Sequence, residues 1–267
     1  MEREDRLSRL VDYIVEHGSV HVDDVVATFD ISPATARRDL DALAEQQLVS
    51  RTRGGAVSNS TSGDTPLRYR TVRHGGAKRA IASAVAAMVT PGEVIAFNGG
   101  TTTTAAAFEV GIRTAADPAF HDVTTTVVTN AVNIANDLVV RPALRIVVTG
   151  GVARPRSYEL VGPLASLKLP DITIDTLFLG AHALDVERGY FTHHDGEAAI
   201  NAELVRLARR TVAVVDSSKL GATAFARICG VDDVDVLLTD AGADPGSLDR
   251  VREHGVDVVT VGGPGEG

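Results

Sequence analysis

The sequence predicts an α/β protein, a mostly parallel sheet with helices on both faces, preceded by a small helical unit that ends in a hairpin. Three observations carry this. From Lys78 onward, short continuous apolar runs alternate with helical patterns, as buried parallel strands and their crossover helices do. Before residue 58, amphipathic stripes follow one another at helical spacing with turn and cap residues between them. At 267 residues with 44% apolar side chains, the chain exceeds the usual single-domain length and can build a sizeable core.

The elements can be justified in order. Leu7, Leu10, Val11, Ile14 and Val15 form one amphipathic stripe, which Gly18 ends. Val22, Val25, Val26 and Phe29 form a second, with Asp23 and Asp24 in the first turn, where carboxylates favour the positive end of the helix dipole. After the turn Asp30-Ile31, Ser32 is an N-cap and Pro33 stands at the first helical position, where its missing N–H costs nothing. Ile31, Ala36, Leu40, Leu43 and Ala44 then face inward, which leaves Ala34, Arg37, Arg38 and Asp41 outward. Leu48 to Val57 reads as a hairpin with Arg51, Arg53 and a Gly54-Gly55 turn.

Two helices joined by a tight turn, the second exposing adjacent arginines near its start, have the geometry of a helix-turn-helix, and the hairpin is a basic wing. Arg37 and Arg38 are candidates for base or phosphate contacts, since a guanidinium fork suits guanine and phosphate alike. Ser32 and Thr35 are placed to bond the DNA backbone, and Arg51 and Arg53 to contact it from the wing. The plainer alternative is a small helical domain with a solvated arginine face. Residues 1–57 hold eleven acids against seven arginines, yet four of those arginines fall on the third helix and wing, so charge position outweighs charge sum.

Residues 58–76 read as a polar linker, ending in the basic stretch Arg68, Arg70 and Arg73, read as an interdomain surface before phosphate contacts. Residues 77–267 form the main domain. Helical patterns fall at Ala80 to Val89, Thr102 to Glu109, Ala131 to Val139 and Glu197 to Arg210. Strands fall at Val94 to Phe97, Thr125 to Thr129, Leu144 to Thr149, Leu177 to Leu179, Val212 to Val215, Val236 to Thr239 and Val256 to Val259.

Ligands of such sheets bind beyond the carboxyl ends of the strands. There stand Asn98-Gly-Gly-Thr-Thr-Thr-Thr104, Thr129-Asn130, Thr149-Gly-Gly151 and Asp216-Ser-Ser-Lys219. Glycines allow close backbone approach, and free N–H groups at a helix start suit a phosphate. Several such loops on one edge would hold a small phosphorylated polyol, although a Gly-rich turn can also serve geometry alone.

The N-terminal segment resembles the DeoR family of transcriptional regulators through Val22-Asp-Asp-Val25, Ile31-Ser32, Thr35-Ala-Arg-Arg-Asp-Leu40, Leu48 and Arg53-Gly-Gly-Ala56. The resemblance continues through the Lys78 helix, Gly100-Thr-Thr102, Thr129-Asn130, Gly150-Gly151, Gly162 and Asp216-Ser-Ser-Lys219, nearly the whole length. It implies a C-terminal domain similar in fold to ribose-5-phosphate isomerase that senses a phosphorylated sugar. By motif, it implies Gly100, Thr101, Thr102 and Thr103 for the phosphate, with Asn130, Gly151 and Lys219 completing the pocket and Asn98 on its hydroxyl-binding side. Asn98 stands where the family commonly has Asp, and Ala181-His182-Ala183 where Ala-Asp-Gly is common. Thr129-Asn-Ala-Val-Asn-Ile-Ala135 and Asn201 look most like members answering to amino-sugar or galactose-type phosphates. The resemblance also implies a repressor of a carbohydrate operon, partnered by double-stranded operator DNA and acting as a homo-oligomer.

Two other classes compete. Asp216, Lys219 and Glu197 could supply acid and base to an aldose–ketose isomerisation, but fold analogy alone establishes no catalysis. His182, Asp185, His193, His194 and Asp195 are possible metal ligands, though no helical i, i+4 pair is among them. The regulator reading needs no cofactor, metal or enzymatic activity. The lone Cys229 cannot form an intrachain disulfide and reads as a buried apolar residue, and the sparse lysines are Lys78, Lys168 and Lys219. The net charge of −9, the lack of a long apolar run and an acidic N-terminus unlike a signal peptide predict a soluble cytoplasmic protein with no membrane partner.

Overall fold

The computed structural model describes residues 3–45, 49–58, 67, 75–167 and 169–262, so that Lys168 and the expected linker residues 59–66 and 68–73, with Arg68, Arg70 and Arg73, lie outside the described residues. The chain divides into two compact units, Met1–Arg73 and His74–Gly267.

In the first unit, helix α1 (Arg3–His17) stops at Gly18, whose φ of +71° is a left-handed conformation that glycine adopts without strain. A short strand β1 (Ser19–His21) leads into α2 (Val22–Phe29), whose start is held by the His21 N–H donating to the Asp24 carboxylate at 3.1 Å. Asp30 ends α2 with φ 51°, and α3 (Pro33–Glu45) begins with the Ser32 hydroxyl accepting the Thr35 N–H at 3.1 Å, as an N-cap should. Strands β2 (Val49–Thr52) and β3 (Gly55–Ser58) form the expected hairpin. β1 adds a third strand, giving the order β1-β3-β2. Three residues are too few for a periodic signal, so β1 was invisible in the sequence pattern. Leu10, Val11, Ile14, Val20, Val25, Ala36, Leu40, Leu43, Val49 and Ala56 make the core of this unit.

The second unit is built on seven parallel strands in the order β15-β14-β12-β9-β4-β5-β6. They are β4 (Val94–Phe97), β5 (Thr125–Thr129), β6 (Leu144–Val148), β9 (Ile174–Leu179), β12 (Ala208–Val214), β14 (Val236–Asp240) and β15 (Asp257–Val261). The packed residues of these strands are mostly apolar because helices cover both faces of the sheet, and alternate residues go to opposite sides. Ile95, Phe97, Val127, Phe178, Val212, Val214 and Leu238 pack with α4 (Gly75–Met88), α5 (Thr101–Ala116) and α6 (Val132–Leu138). Ala96, Val128, Leu177, Leu179, Ala213 and Leu237 pack with α8 (Asp195–Leu207) and α9 (Pro245–Glu253), while α7 (Pro163–Ser166) adds Ala165 to that side.

One helix differs from expectation. The pattern read as helical from Glu197 to Arg210 ends at Leu207, and Ala208 to Arg210 open β12, with Ala208 opposite Ile174 and Arg210 opposite Thr176. Arginine favours helices, but the ladder with β9 overrides local propensity. Smaller pieces were also missed: the hairpin β7 (Val152–Ala153) and β8 (Leu160–Val161), and the antiparallel sheet β10-β11-β13 from Ala183–Asp185, Gly189–Thr192 and Ala226–Cys229. Cys229 is buried there, and burial followed by the nearby Asp233 pushes its thiol up to about 12, so it stays a thiol.

Candidate functional site

In the first unit, α3 presents Ala34, Arg37, Arg38 and Asp41 to solvent on one face. The Arg38 Nε donates to the Ala34 carbonyl at 3.3 Å, laying its side chain back along the helix. The Ser32 and Thr35 hydroxyls, 2.9 Å apart, sit together at the helix start. What fixes α3 is a buried charge that the sequence pattern did not flag. Asp39, 2% exposed, lies on the inward face and receives the Arg6 Nε from α1 at 2.7 Å. Removing one partner would strand the other, which makes this pair a lock between the helices.

The wing is anchored from both ends. Gly54 (φ +90°) accepts the Val22 N–H at 2.8 Å. A Cβ on Gly55 would fall 1.9 Å from the Val20 carbonyl, so only glycine fits between β3 and β1. Arg51 donates its Nε to Asp41 of α3 at 2.8 Å and an Nη1 to the Gly55 carbonyl. It therefore ties wing to helix, whereas Arg53 stands exposed in the turn between β2 and β3.

In the second unit the glycine and hydroxyl motifs fall beyond the carboxyl ends of β4, β5, β6 and β12. Gly100, with φ 147°, is the N-cap of α5 and has no side chain to cap it, so first-turn N–H groups face a potential anion. The Thr103 and Thr104 hydroxyls both donate to the Gly100 carbonyl, at 3.1 and 2.6 Å, which stiffens this turn. Thr102 is buried and Thr101 partly exposed. Asn98, expected at the ligand, makes a two-way bridge with Gly180 beyond β9: its Nδ2 donates to the carbonyl at 2.9 Å and its Oδ1 accepts the N–H at 2.7 Å. It holds two strand ends together. Gly151 (φ 121°) packs so tightly that a Cβ would meet the Val161 carbonyl at 2.8 Å. Lys219 closes a turn after β12 in which the Asp216 carboxylate accepts the Ser218 N–H at 3.2 Å. Two strands separate β12 from β5, and one, β9, separates it from β4.

A polar cluster adjoins these loops. Asn130, fully buried, donates its Nδ2 to Glu159 at 2.9 Å and lies 3.5 Å from Asn201. Glu197 accepts from the Arg154 Nε at 2.9 Å and from the Thr192 hydroxyl at 2.8 Å, and the Thr192 oxygen lies 3.0 Å from His182 Nδ1. Glu197 is thereby engaged in an ion pair rather than poised as a base. His182 and His193 approach to 4.7 Å between ring centres, while His194 and Asp185 accept local N–H groups. Among the described residues no three His, Cys, Asp or Glu side chains gather as a metal site.

Arg154, Glu159 and Thr192 were not singled out by the sequence. The available signal was Arg154-Pro-Arg-Ser-Tyr-Glu159, a charged run that follows Gly150-Gly151 after Val152-Ala153. Within it, Tyr158 adopts φ 60°, a strained conformation for a residue with a Cβ.

Residues 6–62 match the DeoR-like helix-turn-helix domain and residues 73–241 the DeoR C terminal sensor domain. The HTH-type transcriptional regulator GlpR of Haloferax volcanii is 33% identical over 256 residues, 96% of each chain. The glycerol-3-phosphate regulon repressor of Escherichia coli K12 is 28% identical, covering 97% of this chain and 99% of that protein. The HTH-type transcriptional repressor GlcR of Bacillus subtilis is 27% identical over 97% of this chain and 96% of its own. Among solved structures, ribose 5-phosphate isomerase A from Methanocaldococcus jannaschii aligns with a TM-score of 0.38 at 19% identity over 54% of this chain and 53% of its own. Among the described residues no helix is long and apolar enough to cross a membrane. With a reading head and a sensor domain both matched, and relatives along the whole length that are transcriptional regulators, this chain belongs to the DeoR family of DNA-binding transcriptional regulators and is not an enzyme.

Proposed function

We propose that the protein is a cytoplasmic repressor of a carbohydrate-metabolism operon, and that a phosphorylated sugar bound in the second unit controls its hold on operator DNA. The observation that carries the sensor reading is the uncapped start of α5 at Gly100, opening directly beyond β4 with hydroxyls on its first turn. On the DNA side, Ser32, Thr35, Arg37, Arg38 and Arg53 are the contacting residues and Arg51 supports them. A symmetric homo-oligomer presents two recognition helices to half-sites about 34 Å apart or a multiple of it. The sugar phosphate binds the DNA-competent and incompetent arrangements with different affinity and shifts their populations, so DNA must weaken an inducer to the same degree. Repression is favoured because relatives matched along their length are named repressors.

Amino-sugar and galactose-type phosphates head the test panel, together with glycerol 3-phosphate and the unphosphorylated sugars. A ligand that binds only the native state raises its melting temperature. We expect a phosphorylated sugar to do so and its unphosphorylated counterpart to fail. No shift with any phosphorylated compound would sink the phosphate assignment while leaving the DNA-reading unit standing.

A further inference from the structure

We propose that Glu159, together with Asn130 and Asn201, forms the wall that reads the hydroxyl groups of the effector, with Glu159 as the residue that distinguishes a phosphorylated polyol from bare phosphate. This rests on the reading of the Gly99–Thr104 turn as the phosphate site. The first observation is an unanswered acceptor: Asn130 is fully buried, and its Oδ1 has no hydrogen-bond partner among the described residues. A buried polar atom without a partner is costly, and such atoms mark places where a ligand or water completes the structure. The amide cannot relieve this by flipping, because its Nδ2 faces the Glu159 Oε2 at 2.9 Å and a flip would set an oxygen against a carboxylate.

The second observation places Glu159 at the phosphate turn. A Cβ on Gly99 would fall 2.3 Å from the Glu159 Cγ and 2.7 Å from its Oε1, so the carboxylate lies directly on the peptide that precedes the α5 N-terminus. Its other oxygen, Oε2, takes amide donors from Asn130 and, at 3.4 Å, from Asn201. The backbone is equally fixed: Leu160 N–H donates to the Asn130 carbonyl at 2.7 Å, and Arg154 N–H to the Glu159 carbonyl at 2.9 Å. A phosphate at the start of α5 therefore brings its attached sugar beside acceptors, namely the Glu159 carboxylate and the Asn130 Oδ1. Sugar hydroxyls, or an ammonium in their place, donate to both. Orthophosphate carries no polyol to reach them and gains nothing from this wall.

The test measures dissociation constants for inorganic phosphate and for hexose 6-phosphates bearing a hydroxyl, an amine or a hydrogen at C2, by calorimetry on the full chain. Wild type is expected to prefer a hexose phosphate to inorganic phosphate, and Glu159→Gln to reduce that preference about tenfold or more, the scale of a hydrogen bond to a charged group. Gly99→Ala, which displaces the carboxylate without changing it, should reduce the same ratio. It supplies the answer if the glutamine variant does not fold. Preference unchanged within about twofold in the folded variant overturns the inference and leaves the phosphate turn intact. Equal binding of phosphate and sugar phosphate by wild type overturns it likewise, whereas binding of neither removes the phosphate turn and this inference together.

Discussion

Arg37 and Arg51 look interchangeable in the sequence, two arginines in a basic motif, but the structure gives them different work. Arg37 stands in solvent on α3, whereas Arg51 is held by Asp41 and Gly55. Arg37→Ala should weaken operator binding by about 1–3 kcal/mol if it reads a base, and leave sugar-phosphate stabilisation unchanged. Unchanged operator affinity at physiological salt would remove α3 from the interface. Arg51→Ala should also weaken binding, by loosening the wing. Its slope of log affinity against log salt should stay at the wild-type value, because no phosphate contact is lost; a slope reduced by about one would show direct phosphate contact instead. The exposed arginines were legible because helical periodicity assigns faces. Asp39 was not, because a carboxylate on an inward face makes sense only once Arg6, 33 positions away, is seen to meet it.

At the level of elements, the turns beyond the strands are held by carboxylates, and one of them should respond to acid. Asp240, at the end of β14, accepts the Ser217 N–H at 2.7 Å and the Gly242 N–H at 3.0 Å, so it secures the turn that carries Lys219. Burial acts to raise this carboxyl, but the hydrogen bonds from Ser217 and Gly242 outweigh it and leave Asp240 below its ordinary value. A depressed carboxylate stabilises the fold fully above its unfolded value of about 3.9, and that contribution is lost as pH falls through the lower folded value. The melting temperatures of wild type and Asp240→Asn should therefore differ most near neutral pH and converge as pH drops below about 4; a constant gap would mean that ionisation is not what holds the turn. Short apolar runs made the sheet strands readable where both faces are buried, whereas the exposed Arg209 and Arg210 at the start of β12 hid its first residues in a helical pattern. The pieces β7, β8, β10 and β11 were unreadable because two to four residues carry no period, and Glu159 was missed because its partners Gly99, Asn130 and Asn201 come from three other segments.

For the whole molecule, the division into two compact units predicts two thermal transitions, separable by calorimetry on the intact chain. A sugar phosphate should raise the transition of the unit His74–Gly267, and a single transition that moves as one would show that the units unfold together. Their cores also differ in how far along the chain their partners lie. β2 and β3 close a hairpin across two residues, whereas the central pair β4 and β9 joins positions such as Ile95 and Thr176, and Val94 bonds to Asp175 across 81 positions. Closing so large a loop precedes any reward from pairing, so the sheet should be the slow step of folding, while the local contacts of the first unit form quickly. As the chain leaves the ribosome, the reading head can be complete before β9 has been made. On the proposed reading, a nascent chain therefore acquires a shape able to touch DNA before it has the unit that would answer to an effector.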